Sequence, residues 1–319
     1  KAFWTGSQRD YFRLYRYTAE AIKSVSPSFQ VGGPATAQSA WIEDFVAFCD
    51  RNDVPADFVS THYYQNDGYE RDAAKLDVQL FKSQRGIMRE VAQNTRSHSG
   101  NRPVYYTEWN TSSNLFDSLH DEPYAAAAVA STVMEANGLV EGYSFWTFSD
   151  IFEEYYLPSL PFHGGFGLLT LHGIPKPAYR TFELLHDLGD RQSLVDGLHE
   201  TVDCSVIQND SSVTVLLTNH TTPGHTIESE DIEIRLDNAR EPIESRIRRV
   251  DEEHANPKRA WEEMGQPEYL TRKEVARLEE ASQLVTEKQS LDFRDGSIFL
   301  RTTLPAHAVA AITIDFKAQ

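Results

Sequence analysis

A carboxylate set in an aromatic strand is the feature of this sequence with the most chemical content. PVYYTEWNTSSN (103–114) reads as extended chain, where Val104, Tyr106, Glu108 and Asn110 share one face and Tyr105, Thr107 and Trp109 the other. Burying a carboxylate among aromatic rings is costly unless it finds a partner. Glu108 is therefore either a structural carboxylate paired with an Arg or a reactive one at the mouth of a fold. The polar TSSN run that follows puts it at a strand end and favours the reactive role. In STHYY (60–64), His62 and Tyr64 are two apart and so face one side of a strand, suited to donating hydrogen bonds to a carboxylate or a hydroxyl. A lone His is more often a satisfied core residue, but two polar aromatics at a strand terminus argue for a site.

FWTFSDIFEE (145–154) adds Trp146 near a strand end and an acidic loop holding Glu153 and Glu154. Sugars present flat C–H faces and rims of hydroxyls, so a sugar site needs a stacking aromatic and carboxylates that accept paired hydroxyl bonds. Core packing for Trp146 and solvated charge for the two Glu account for the same residues equally well. The 11 histidines include no HExxH or comparable spacing, which argues against metal catalysis.

The elements that must position these residues alternate along residues 1 to about 190. Ser7 and Asp10 form a capping box ahead of Phe12, Tyr15, Ala19 and Ile22 at helical spacing, and the helix must end before Pro27. FQVGGPA (29–35) reads as a strand stopped by Gly and Pro. A second helix carries Ile42, Phe45, Val46 and Cys49 on one face, and DFVSTHYY (57–64) is β-rich. A helix from about residue 80 to 93 turns Leu80, Ile87 and Val91 inward. RPVYYTEWN (102–110) is the third strand, YAAAAVASTVMEAN (124–137) a close-packing helix and GYSFWTFSD (142–150) the fourth strand. PAYRTFELLHDLG (177–189) is a helix closed by Gly. Four βα repeats after one leading helix imply a parallel sheet covered by helices, either open and doubly wound or part of a barrel. His62 and Tyr64, Glu108 and Asn110, and Trp146 and Asp150 gather just past the carboxyl ends of the strands, the edge where a (β/α)8 barrel does its chemistry. No Gly-rich phosphate loop follows a strand, which weighs against a nucleotide-binding sheet, and HGGFG (163–167) reads as a tight loop.

Beyond about residue 200, CSVIQNDSSVTVLLTNHT (204–221) and GSIFLRTTLPAHAVAAITIDF (296–316) alternate apolar and polar residues between turn signals, as strands of a β-sandwich or jelly roll do. The charged segment 246–285 between them is read as a helical connection without chemistry. With 319 residues, two domains are expected, at 1–190 and 191–319.

Lys and Arg number 30 against 48 Asp and Glu, a net charge of −18, which opposes nucleic-acid backbones and anionic membranes as partners. No run approaches the roughly 18 apolar residues needed to span a bilayer. Cys49 and Cys204 form neither a disulfide framework nor a thiolate metal site, and lean toward a reducing, cytoplasmic setting. The sequons at Asn110, Asn209 and Asn219 carry little weight without evidence of secretion.

VGGPATA (31–37), DFVSTHYY (57–64), VYYTEWNTSSN (104–114), SFWTFSDIFEE (144–154) and PFHGGFGLLTLHGIPKPAYR (161–180), with VDEEHANPKRAWEEMGQPEYLT (250–271), resemble glycoside hydrolase family 39, in particular its bacterial β-xylosidases. The likeness runs in order over nearly the whole chain. It implies an α/β fold: a (β/α)8 barrel with an attached β-sandwich. It also implies a retaining mechanism with two glutamates, acting on xylo-oligosaccharides or another small glycoside, with no cofactor. Under it Glu108 matches the nucleophile at the end of the seventh strand, His62 and Tyr64 a hydrogen-bonding pair on the sixth, and Trp146 and Glu154 sugar contacts after the eighth, Glu153 being the alternative to Glu154. The family's general acid/base lies in an Asn-Glu-Pro motif, which occurs nowhere in these 319 residues. On this reading the chain begins just past the fourth strand and needs the N-terminal half of the barrel as its partner. The sandwich is a plausible contact surface for a homo-oligomer. A non-catalytic sugar-binding or scaffold protein on the same fold, or an enzyme with a different glycone, are the alternatives.

Overall fold

The computed structural model describes residues 4–68, 85–152 and 158–317. Among them the chain forms two compact units. One holds residues 4–68, 85–113 and 135–146, and the other 114–134, 147–152 and 158–317.

The first unit is built on a parallel sheet. Strands β1 (Gly32–Ala37), β2 (Phe58–His62), β3 (Val104–Trp109) and β4 (Gly142–Phe145) lie side by side in sequence order. Helix α1 (Gln8–Val25) precedes β1, α2 (Ile42–Asn52) joins β1 to β2, and α3 (Ile87–His98) leads into β3. The alternation expected from sequence is therefore present, with parallel pairing throughout.

Local chemistry explains most of the boundaries. Ser7 caps α1 by accepting the Asp10 N–H, and the Asp10 carboxylate takes the Ser7 hydroxyl at 2.7 Å, so the expected box closes the start of the helix. Phe12 and Ala19 are buried, whereas Ile22 is exposed. α2 buries Ile42, Phe45, Val46 and Cys49, as its spacing predicts, in one cluster with Phe12, Val54 and Val59. Gly and Pro do not stop β1. The strand starts at Gly32 and runs through Pro34, tolerated because Ala35 (φ +54°) makes a bulge there that shifts the register. α3 buries Met88, Ala92 and Thr95 rather than Ile87 and Val91, which are half-buried; Leu80 lies outside the described residues.

In the second unit, α4 (Pro123–Glu135) presents Ala126, Ala127 and Ala130 to Leu184 of α5 (Pro177–His186) and to Ile207, Leu216, Val250 and Val309. Small side chains let these layers approach closely. α5 does not end on a glycine cap, since Asp187 closes it. Gly189 is needed instead because a Cβ there would sit 2.3 Å from the Gln208 backbone.

The remaining strands are antiparallel. β5 (Arg191–Ser193), β6 (Val202–Gln208), β7 (Ser212–Asn219), β8 (Glu230–Leu236), β9 (Pro242–Val250), β10 (Glu287–Lys288), β11 (Leu291–Arg294), β12 (Ser297–Leu304) and β13 (Val309–Phe316) divide into two sheets, ordered β10-β9-β13-β7-β6-β5 and β11-β12-β8. Val215, Leu217, Ile247 and Ile312 from the larger sheet share one core with Ile298, Leu300, Ile232 and Phe293 from the smaller. The segment 246–285 is only partly the helical connection expected. Its first residues complete β9, and the helices α6 (Pro257–Glu263) and α7 (Arg272–Ala281) follow, with Trp261 and Leu278 packed on Phe162 and Ile174. Two of the three sequon asparagines, Asn110 and Asn219, are buried and already hydrogen-bonded, whereas Asn209 is exposed.

Candidate active site

The carboxyl ends of the parallel strands fall in register. Ala37 of β1 pairs with His62, His62 with Glu108, and Trp109 with Phe145. Glu108 and His62 thus lie opposite one another on adjacent strands, and both are half-buried. Tyr64 joins them from just beyond β2, which ends at His62 rather than running on as expected. Its backbone N–H donates to Asp67 Oδ2 at 3.0 Å, and its hydroxyl donates to Glu108 Oε1 at 2.5 Å.

The face on which Glu108 lies differs from simple alternation. The β2–β3 register steps from Tyr106 directly to Glu108, and the β3–β4 register is also irregular between Tyr106 and Trp109. Thr107 is the extra residue of a bulge. Tyr106 and Trp109 consequently meet the same ring, Tyr143, at 5.0 and 4.6 Å between centroids. The Tyr106 hydroxyl also reaches Thr95 of α3 at 2.9 Å, so this is the helix-covered face. Glu108, next to Trp109 in the strand, therefore turns to the side opposite Tyr106.

Among the described residues no Arg or Lys pairs with Glu108, and the Tyr64 hydroxyl bonds one of its carboxylate oxygens.

Trp146 follows β4 and is half-buried. Its N–H donates to the Trp109 carbonyl at 2.8 Å, and its own carbonyl accepts from Asn110 Nδ2 at 2.5 Å. Asn110, 2% exposed, spends its other end on the Thr111 N–H at 2.7 Å. Asn110 is thus a clamp joining the ends of β3 and β4, a role that its sequence neighbours do not announce. A second clamp is Asn66, whose Oδ1 accepts the Ser113 N–H at 2.9 Å and ties the loop after β2 to the loop after β3. Asp150, grouped by sequence with the strand-end polar residues, is buried in the second unit and bonds the Gly167 N–H and the Lys176 ammonium. Glu153 and Glu154 lie outside the described residues.

The arrangement is a half-buried carboxylate, oriented by one tyrosine hydroxyl, with an imidazole beside it and an indole held by its backbone on the next strand. It holds no cluster of metal-ligating side chains among the described residues. A nucleophilic or electrostatic role toward an electron-poor carbon suits such a carboxylate.

A parallel α/β sheet with a hydrogen-bonded carboxylate at a strand's carboxyl end belongs to a broad class of scaffolds that carry their sites at that edge. Within it, the profile described as "Glycosyl hydrolases family 39" matches residues 1–297, and the chain belongs to that family. It is 42% identical to a beta-xylosidase of Caldicellulosiruptor saccharolyticus, over 98% of this chain and 65% of that protein. It is 33% identical to a beta-xylosidase of Geobacillus stearothermophilus, over 98% of this chain and 63% of that protein. The chain therefore spans less than two thirds of the length of these relatives. The solved GH39 enzyme of Xanthomonas axonopodis pv. citri superposes with a TM-score of 0.79 at 27% identity, covering 97% of this chain and 64% of that one. A GH39 beta-xylosidase from Caulobacter crescentus superposes with a TM-score of 0.77 at 29% identity, covering 97% and 62%.

Proposed function

We propose that this chain belongs to a retaining, exo-acting β-xylosidase that hydrolyses xylo-oligosaccharides by double displacement, with Glu108 as the nucleophile. The observation that carries the reading is Glu108 itself, a carboxylate at a strand's carboxyl end, bonded through one oxygen to Tyr64 and paired with no cation among the described residues. The names of the two relatives at 42% and 33% identity support the glycone.

In the first step the free oxygen of Glu108 attacks the anomeric carbon and the bond to the aglycone oxygen breaks. A proton from the general acid goes to that oxygen. In the second step the same residue, now a base, takes a proton from water, which displaces Glu108 and regenerates the starting configuration. Retention requires the two carboxyls to lie about 5–5.5 Å apart. Tyr64 holds the nucleophile on its line of attack, His62 and Glu154 bond sugar hydroxyls, and Trp146 stacks on the flat face of the glycone. The acid/base is a second glutamate, and these 319 residues contain no Asn-Glu-Pro motif of the kind the family resemblance implies for it. The matching architecture has residues 1–190 as the second half of a (β/α)8 barrel, completed by an N-terminal half, and residues 191–319 as a β-sandwich.

The test is Glu108→Gly in the full-length protein, assayed on 4-nitrophenyl β-D-xyloside. Turnover should fall by at least about 1,000-fold. Added azide should restore release of nitrophenol and yield the α-xylosyl azide. Undiminished turnover would end the assignment, and a panel of nitrophenyl glycosides fixes the glycone.

A further inference from the structure

The end of β2 is held by more bonds than strand pairing supplies. Residues 62–64 carry the imidazole opposite Glu108 in the sheet and the phenol that bonds it. The His62 carbonyl accepts the Gln38 N–H at 2.8 Å, and the Tyr63 N–H donates to the Glu108 carbonyl at 3.3 Å. The Tyr64 N–H donates to Asp67 Oδ2 at 3.0 Å, and the Tyr64 carbonyl accepts the Asp67 N–H at 2.9 Å. Gln38 Nε2 in turn donates to Asp67 Oδ1 at 3.3 Å, which joins the end of β1 to the loop after β2. All of these residues belong to the first unit.

Two members of this set break a local rule. Tyr64 immediately precedes the short 3-10 helix Gln65–Gly68, where a cap residue stands. Asp67, the third residue of that helix, reaches back to the Tyr64 N–H, which is the backward half of a capping box. The forward half asks for Ser, Thr, Asp or Asn, whose short side chain turns onto the helix's own N–H groups. A tyrosine hydroxyl stands at the far end of a ring and cannot do this. It is directed to Glu108 Oε1 instead.

Gln38 is the second exception. It is a non-glycine residue at φ +59°, followed by Ser39 at φ +51°. Such conformations are unfavourable and persist where the surroundings over-determine them. In this one, Gln38 bonds the His62 carbonyl with its backbone and Asp67 with its side chain. Local preferences are given up in this way where a site needs the geometry that results.

We propose that Asp67, steadied by Gln38, is a positioning residue for Tyr64 and through it for Glu108. Its carboxylate fixes the backbone from which the phenol projects, so that the hydroxyl meets Glu108 from one direction. The inference rests on the reading of Glu108 as the nucleophile. Alignment of that carboxylate matters while its oxygen bonds to the anomeric carbon, not while the sugar rests in the site. The loss therefore falls on the chemical step rather than on binding.

The experiment uses the full-length protein, with 4-nitrophenyl β-D-xyloside as substrate and the active fraction titrated by a 2-deoxy-2-fluoro xyloside inactivator. Asp67→Ala should lower kcat/KM per active site by about tenfold, since small misplacements of a reacting group cost this much. Competitive inhibition by xylose should stay within about twofold, because ground-state binding is not what is lost. Asp67→Asn keeps an acceptor for the Tyr64 N–H, and Gln38 can turn its amide oxygen toward the new amide. This variant should stay within about threefold of the parent. In a Tyr64→Phe background Asp67→Ala should add less than about twofold, since residues acting through one another are not additive. Where Asp67→Ala does not fold, Gln38→Asn takes its place. Asparagine accepts the left-handed φ, is one methylene too short to reach Asp67, and should lower kcat/KM by about threefold.

An unchanged kcat/KM per active site overturns the proposal, because a merely structural role reduces only the number of working molecules. A full loss that persists in the Tyr64→Phe background overturns it equally. So does an Asp67→Asn variant as slow as Asp67→Ala, which would assign the effect to charge, or a loss carried by weaker xylose binding. If the parent protein does not hydrolyse the xyloside and Glu108→Gly changes nothing, the function assignment itself is wrong and this inference falls with it. Hydrolysis that depends on Glu108 but is indifferent to Asp67 refutes the inference alone.

Discussion

Removing one oxygen, by Tyr64→Phe, isolates what holds the proposed nucleophile in line. The ring should stay where it is, because Tyr64 is 5% exposed and its backbone N–H is bonded to Asp67. What is lost is the hydrogen bond to Glu108 Oε1 at 2.5 Å. A hydrogen bond to a charged group contributes about 1.5–3 kcal/mol, which is about 10- to 150-fold when it is expressed in a rate. Glu108 is half-buried, so water can take the vacated place. Water does not confine the carboxylate to one direction, and the penalty should therefore fall on catalysis rather than on folding. We expect kcat/KM on 4-nitrophenyl β-D-xyloside to drop by about 10- to 150-fold, with a thermal midpoint lowered by about 4 °C or less. The reasoning fails if the variant keeps more than half of the parent's kcat/KM. It fails equally if the loss merely tracks a large loss of folded protein.

Two further outcomes follow from the second unit. The His307 ring packs edge-on against Tyr124 at 5.3 Å and lies 5.9 Å from His220, and burial holds its pKa down at about 4 against an ordinary 6.5. The unfolded chain binds this proton first, so the stability it confers is intact above pH 6.5 and drains away as pH falls toward 4. Urea unfolding should register about 2 kcal/mol of that loss between pH 7 and 5, and His307→Asn, which accepts the φ of +53°, should flatten the acid limb by the same share. Thr271 completes both halves of a capping box with Glu274 at the start of α7, so Thr271→Ala should lower stability by about 1 kcal/mol in the same assay and leave KM unchanged.

Which features the sequence could disclose follows from how far apart in the chain their causes lie. α2 was legible because its four buried residues are spaced by the helix period alone. The parallel direction of the four strands was legible because helices alternate with them. β1 was misplaced because a bulge, visible only in its pairing with β2, is what lets a strand pass through Pro34. The pairing of Tyr64 with Glu108 was anticipated for the wrong local reason: Tyr64 is past its strand and reaches the carboxylate from a loop held by Asp67. Asn110 was placed at the strand end but its role as a clamp gave no signal, and neither did that of Asn66, since an asparagine after a strand looks like an ordinary turn residue until its partners, Trp146 and Ser113, are known. The buried ion pairs of Lys176 with Asp121 and Asp150 were not legible either: Asp150 was grouped with the strand-end polar residues, and positions 121 and 176 look like surface charges until they are brought together.

The bulge at Thr107 decides which side of the sheet Glu108 faces. Under strict alternation Glu108 would share a face with Tyr106, whose hydroxyl is bonded to Thr95 of a covering helix and whose ring is fully enclosed. A carboxylate there would have no route to substrate and would need a buried cation. One unpaired residue reverses this. It keeps Tyr106 and Trp109 together on the packed side, against Tyr143, and sends the intervening carboxylate to the opposite side, level with His62 and within reach of Tyr64. The aromatic residues that make the strand look like pure core are thus what anchors the bulge. The polar residue among them turns away from the helix-covered side because the register around it is broken.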